Sequence, residues 1–95
     1  MTIDEKRELR LTILKELYNH NEETGGYKEI TINDPMTEED KNRFLAYEYL
    51  EDKGLIYFKP FHESAYTAKI NSYGIDYVEE ALSNQKWGDL IWMTK

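Results

Sequence analysis

The chain has no cysteine. Disulfide staples, thiolate metal sites and a cysteine nucleophile are therefore excluded. Small secreted domains usually carry disulfides, so their absence points to the cytoplasm. No apolar run approaches the length of a membrane span. The start, Met1-Thr2-Ile3-Asp4-Glu5, is charged at once, and no secretory signal is expected. Internal repeats, linkers and low-complexity stretches are missing. Positive charge is also short: 12 Lys and Arg face 19 Asp and Glu, a net charge of −7 that repels polyphosphate at long range. Catalytic signatures are absent too. There is no His-Glu-x-x-His, phosphate-binding loop, Gly-x-Gly-x-x-Gly or Gly-x-Ser-x-Gly. The two histidines, His20 and His62, fall at a helix end and in a loop. His20 beside Glu22 and Glu23 reads as a solvated terminus rather than a metal site. No enzyme activity, metal or cofactor is expected.

What remains is a single domain, residues 1–95, with eight Tyr, three Phe and two Trp. Aromatics bury large areas per residue, so a small core built from them can be adequate. Charge is uneven along the chain. Residues 1–23 carry −2, 24–36 carry −1, 37–53 carry −3 and 71–95 carry −2, whereas 54–70 carry +1 from Lys59 and Lys69 against Glu63.

The spacing predicts a first helix over Ile3 to Asn19, with a Thr2/Glu5 capping box and a buried stripe of Leu9, Ile13 and Leu17 widened by Leu14 and Tyr18. A turn at Thr24-Gly25-Gly26 follows. The β-branched Ile30-Thr31-Ile32 marks a short strand over Tyr27 to Ile32. A second helix runs from Glu38 to Lys53, with Thr37 as N-cap and Asp40 at its third position. Gly54 and Leu55 form a Schellman ending against Leu50. Leu55–Lys59 and Ala65–Ile70 read as strands of a hairpin, with Pro60-Phe61-His62-Glu63-Ser64 as its loop. Asn71 caps a last helix, Ser72 to Leu82, whose buried stripe is Ile75, Val78 and Leu82. Ile70 and Ile75 have the spacing of a hydrophobic staple. The final stretch, with Trp87, Leu90, Ile91, Trp92 and Met93, is too apolar to be a free end. It is expected to pack on the domain or on a homodimer partner.

Helix, strand, helix, hairpin, helix is the layout of a winged helix. Tyr49-Leu50-Glu51-Asp52-Lys53-Gly54-Leu55-Ile56 resembles the end of a recognition helix running into the first wing strand. Ala68-Lys69-Ile70-Asn71-Ser72-Tyr73-Gly74-Ile75-Asp76-Tyr77 resembles the strand leaving the wing for the last helix. Over residues 3–82 the chain is similar to small bacterial and phage winged-helix proteins of the YjcQ kind. The resemblance implies an α+β winged-helix fold and is weakly specific for function. One departure stands out. Only Asn33-Asp34-Pro35-Met36 lies where a DNA-reading winged helix has a short supporting helix, so standard major-groove docking is not expected.

At about 100° per residue, Asn42, Ala46, Tyr49, Leu50 and Lys53 should face the core. Lys41, Phe44, Leu45, Glu48 and Asp52 should face away. That outer face suits base readout poorly. It is either packed under the C-terminal segment or used as a protein or dimer contact. The hairpin offers Lys59, His62, Ser64, Tyr66 and Lys69 as a nucleic-acid contact, and acid would add charge at His62. Two lysines are few, because affinity grows with the phosphates neutralised. Arg7, Arg10 and Lys15 alternate with Glu8 and Glu16 and read as a salt-bridged face. Two functions follow as expectations. One is a nucleic-acid-associated regulator of bacterial or phage type, holding DNA weakly through the hairpin. The other is a winged helix repurposed for binding a host or phage protein.

Overall fold

Thr2 accepts the Glu5 amide at 3.1 Å and Glu5 returns the bond to the Thr2 amide at 2.8 Å, so the expected capping box starts the first helix. A computed structural model of the chain describes residues 1–83. This helix, α1, covers Ile3–Thr24, five residues beyond the expected end. Asn19, His20 and Asn21 are weak helix formers, but none of them stops a helix. Gly25 does, with φ 70 and its N–H donating to the Asn21 carbonyl at 2.8 Å. Ile13, Leu14 and Leu17 are buried on the expected stripe, with Leu9 and Tyr18 packed at its margin.

Strand β1 is Lys28–Thr31. No helix intervenes before Thr37, which caps α2, Glu38–Asp52. The cap is a second reciprocal box: Thr37 accepts the Asp40 amide at 3.0 Å, and the Asp40 carboxylate accepts the Thr37 amide at 3.2 Å. Asn33 Nδ2 donates to the same carboxylate oxygen at 3.2 Å. Arg43 lies 3.6 Å from its other oxygen and also donates to the Thr31 carbonyl at 3.0 Å. Asp40 thus ties the end of β1 to the start of α2. At its far end α2 closes as expected, with Gly54 at φ 77. The Gly54 N–H bonds the Glu51 carbonyl at 2.8 Å and the Leu55 N–H bonds the Leu50 carbonyl at 3.1 Å.

The hairpin is longer and tighter than expected. Strand β2 is Ile56–His62 and strand β3 is Ala65–Ile70, which leaves only Glu63 and Ser64 as the turn, with Ser64 at φ 59. Pro60 is therefore in a strand, not a loop. The sheet order is β1-β3-β2, so β2 is an edge, where a residue without an N–H costs no ladder bond. A register shift between Pro60 and His62 takes up Phe61 as an extra residue. All pairings are antiparallel.

Asn71 caps the last helix, α3, Ser72–Ser83, by accepting the Gly74 amide at 3.0 Å. It also donates through Nδ2 to the Gly54 carbonyl at 2.9 Å and through its amide to Leu55 at 3.1 Å. The two ends of the hairpin are joined at this one residue. The buried face of α3 is Gly74, Val78 and Ala81; Ile75 is half-buried and Leu82 is 39% exposed. Of the expected stripe, Val78 is buried and Ile75 packs at the margin of the core, but Leu82 is turned outward and Gly74 and Ala81 are buried in addition. The helix turns its small residues inward because it packs close. A Cβ on Gly74 would overlap the Leu55 carbonyl oxygen and come within 2.6 Å of Ile70 Cγ1. Tyr18 of α1 donates to Glu79 of α3 at 2.8 Å, and this bond to a carboxylate pushes the Tyr18 phenol up to about 12.

The result is an α+β fold of three helices and one antiparallel sheet among the described residues. The core of Leu14, Leu17, Ile70 and Val78 lies between the helices and one sheet face. Among these residues no helix is long and apolar enough to cross a membrane.

Two consequences are measurable. Gly74→Ala should lower stability by about 2 kcal/mol, a fall in Tm of roughly 10 °C for a domain of this size, as read by thermal denaturation. The Asp40 carboxyl is held below its ordinary value of 3.8, first by the Thr37 amide and then by Asn33 and Arg43. A depressed folded-state pKa adds stability above the unfolded value, and that stability is lost as pH falls through the folded value. Asp40→Asn should therefore lower the urea midpoint at neutral pH. The gap to wild type should start to close below the ordinary value and vanish at more acid pH.

Candidate functional site

The side chains that fix the hairpin are aromatic. Tyr47 of α2 stacks on Phe58 of β2 with centroids 5.0 Å apart and planes at 13°. Phe58 stacks in turn on Tyr66 of β3 at 5.0 Å and 14°. Phe44 meets Phe58 and Tyr66 edge-on at 5.9 and 5.7 Å. Tyr47 is buried, and burial pushes its phenol up to about 12. The core side of α2 is therefore Asp40, Ala46, Tyr47 and Leu50: Ala46 and Leu50 are buried as expected, and Tyr47 and Asp40 take the places expected of Tyr49, Asn42 and Lys53. Tyr49 and Lys53 are exposed and Asn42 is half-buried. The helix is rotated so that a large ring can enter the column.

Strand alternation then assigns the other face of the sheet. With Phe58, Tyr66 and Ala68 inward, Tyr57, Lys59, Thr67 and Lys69 point outward. Register places them in rows. Tyr57 pairs with Lys69, and Tyr27 precedes Lys28, whose partner is Ala68, so Tyr27, Lys69 and Tyr57 cross the sheet side by side. Glu29, Thr67 and Lys59 form the next row. The ammoniums of Lys59 and Lys69 lie 5.2 and 5.8 Å from the Tyr27 ring centroid, within cation–π range. His20 Nε2 lies 3.2 Å from the Tyr27 carbonyl oxygen, which pins the chain just ahead of β1 to the end of α1. The face stays open: Tyr57 is 52% exposed and Tyr27 45%. At the tip Phe61 is 57% exposed, with its ring 4.1 Å from that of His62.

The five hairpin residues expected to act together thus divide. Lys59 and Lys69 converge over Tyr27. His62 sits at the exposed tip, and Ser64 forms the turn. Tyr66 belongs to the ring column on the opposite face. Tyr27, Tyr57 and Phe61 were not among the expected site residues. The parity of Tyr57 with Lys59, two positions apart in a strand, is the signal that identifies Tyr57. On α2, Lys41, Leu45 and Glu48 are exposed, whereas Phe44 is half-buried against the rings. Leu45, 50% exposed, borders a small cleft with Met1 and Leu9. Trp87, Leu90, Ile91 and Trp92 lie outside the described residues.

An open groove of about 900 Å³ runs between α1, the end of α2 and α3, with Leu11, Leu55 and Tyr77 on its walls. Arg10 covers Tyr49 at its rim, 3.8 Å from the ring centroid. Among the described residues no group of three His, Asp or Glu side chains gathers to hold a metal ion. Compared with known proteins, the chain matches no family model, no curated protein and no solved structure.

This division of roles is checked by stability alone. Tyr66→Ala should cost about 3 kcal/mol in urea denaturation, as loss of a packed ring does. Lys59→Ala and Lys69→Ala should each stay within about 0.5 kcal/mol of wild type.

Proposed function

We propose that this chain is a small, non-enzymatic binding module of winged-helix type, a nucleic-acid-associated regulator of the bacterial or phage kind, and that the hairpin with its outward sheet face makes the contact. The observation that carries this reading is the gathering of Lys59 and Lys69 over Tyr27 on an open face, in the one stretch of an acidic chain with a positive balance. The element order and the pairing of β1 with the returning hairpin strand support the winged-helix reading.

The route of binding follows from what is missing around α2. A helix-turn-helix places its second helix in the major groove with a first helix across the backbone. No helix lies between β1 and Thr37. The outer side of α2 presents Lys41, Leu45, Glu48 and Asp52, and two carboxylates repel phosphate. Contact through the hairpin avoids that face. No reaction is assigned, because His20 engages the Tyr27 carbonyl and His62 packs beside Phe61 on a separate element. A second reading, docking of a protein on α2, is favoured by exposed Leu45 next to the Met1 cleft.

Fluorescence anisotropy with labelled oligonucleotides over a salt series tests the proposal. Wild type should bind more weakly as salt rises. The Lys59→Ala/Lys69→Ala double variant should flatten the log–log slope by about 1.8 on duplex or about 1.4 on a single strand. Leu45→Asp should bind like wild type. Absence of any salt-dependent binding by wild type would overturn the reading, and loss of binding on Leu45→Asp would move the contact to α2.

A further inference from the structure

We infer that the outward face of the sheet is a stacking platform for unpaired bases, so that the nucleic acid it takes is single-stranded. This rests on the nucleic-acid reading above and adds the class of ligand. Tyr57 on β2 and Tyr27, just ahead of β1, flank Lys69 of β3. Two strand spacings put them about 10 Å apart. Successive bases in a stacked strand rise about 3.4 Å, so the two rings address bases of a strand that has been opened out. A duplex offers only base edges in its grooves, whereas an unpaired strand offers the π-faces that aromatic side chains stack on. Lys59 and Lys69 supply a track for the backbone, and at the hairpin tip the exposed Phe61 ring stands 4.1 Å from that of His62.

Charge makes the same choice. Two lysines against Glu29 on this face neutralise few phosphates, and the chain as a whole is at −7. A purely electrostatic hold would be slight. Stacking does not depend on net charge and tolerates any base, so it is the contact an acidic domain can use. A second copy fits the face less well. Sheets packed face to face interdigitate apolar side chains, and this one would set Lys59, Lys69 and Glu29 in the interface.

The test is anisotropy at low salt with the full chain and three labelled probes of about twelve nucleotides: oligothymidine, an abasic strand of equal charge, and a duplex. Oligothymidine should bind at least about tenfold more tightly than either of the others. Tyr57→Ala should lose that margin, Tyr57→Phe should keep it, and both should retain the wild-type circular dichroism. If the abasic strand binds as well as oligothymidine, or Tyr57→Ala binds like wild type, the platform is overturned. The hairpin reading then stands or falls separately on the lysine slope. A concentration-dependent dimer that Tyr57→Ala dissolves, with no oligonucleotide bound, would overturn the platform by giving the face to a second copy.

Discussion

The column of Tyr47, Phe58 and Tyr66 fixes the sidedness of this molecule. Its three rings come from α2, β2 and β3, stacked at 5.0 Å intervals with nearly parallel planes, and Phe44 closes the column edge-on. Aromatic pairs of this kind contribute roughly 0.5–1.5 kcal/mol each beyond the area they bury. Their larger effect is on parity. A strand places alternate residues on opposite faces, so Phe58 inward forces Tyr57 and Lys59 outward, and Tyr66 inward forces Thr67 and Lys69 outward. A slip of one residue would bring both lysines under α2 without partners and leave the rings wet, and the register is strongly specified for that reason.

The column needs the hairpin held at the right distance from the helices, and that work falls to Asn71. Its Nδ2 donates to the Gly54 carbonyl, its backbone N–H donates to the Leu55 carbonyl, and its Oδ1 accepts the Gly74 amide to cap α3. One residue therefore joins the end of α2, the end of β3 and the start of α3. Gly74 matters because α3 passes so close to Leu55 and Ile70 that no side chain fits there. The edge of β2 is managed locally. The Phe58 amide donates to the Glu51 carboxylate at 3.3 Å, while Pro60 and the bulge at Phe61 leave little free ladder for another chain.

How far the sequence foretells this structure depends on the range over which each feature is decided. The caps at Thr2, Thr37 and Asn71 and the turn at Gly54 were legible because each is settled by residues within four or five positions. Faces were not. Tyr47 sits between Ala46 and Glu48, and only the presence of Phe58 on another element gives it a reason to point inward. Leu82 is more apolar than Ala81, yet Ala81 is buried because close packing rewards small size. Pro60 reads as a loop residue unless the strand that carries it is known to be an edge, a fact fixed by β1 and β3. The candidate site shares this limit. Its lysines were visible as local charge, whereas Tyr27 joins them only through pairing across the sheet.

Sidedness also bears on how a chain of net charge −7 presents a cationic surface. Of the acidic groups of α2, Glu48 and Asp52 are exposed on its outer side, whereas Asp40 is buried in the α2 cap and Glu51 bonds the Phe58 amide at the edge of β2. A helix is about 10 Å across with its side chains, and the sheet adds its own thickness. The Debye length at physiological ionic strength is about 8 Å. Across that distance Glu48 and Asp52 are largely screened, and the outward face itself presents Lys59, Lys69 and Glu29. Net charge governs approach from afar and at low salt, where it opposes phosphate. Contact is governed by the few groups within one screening length, and the ring column determines which groups those are.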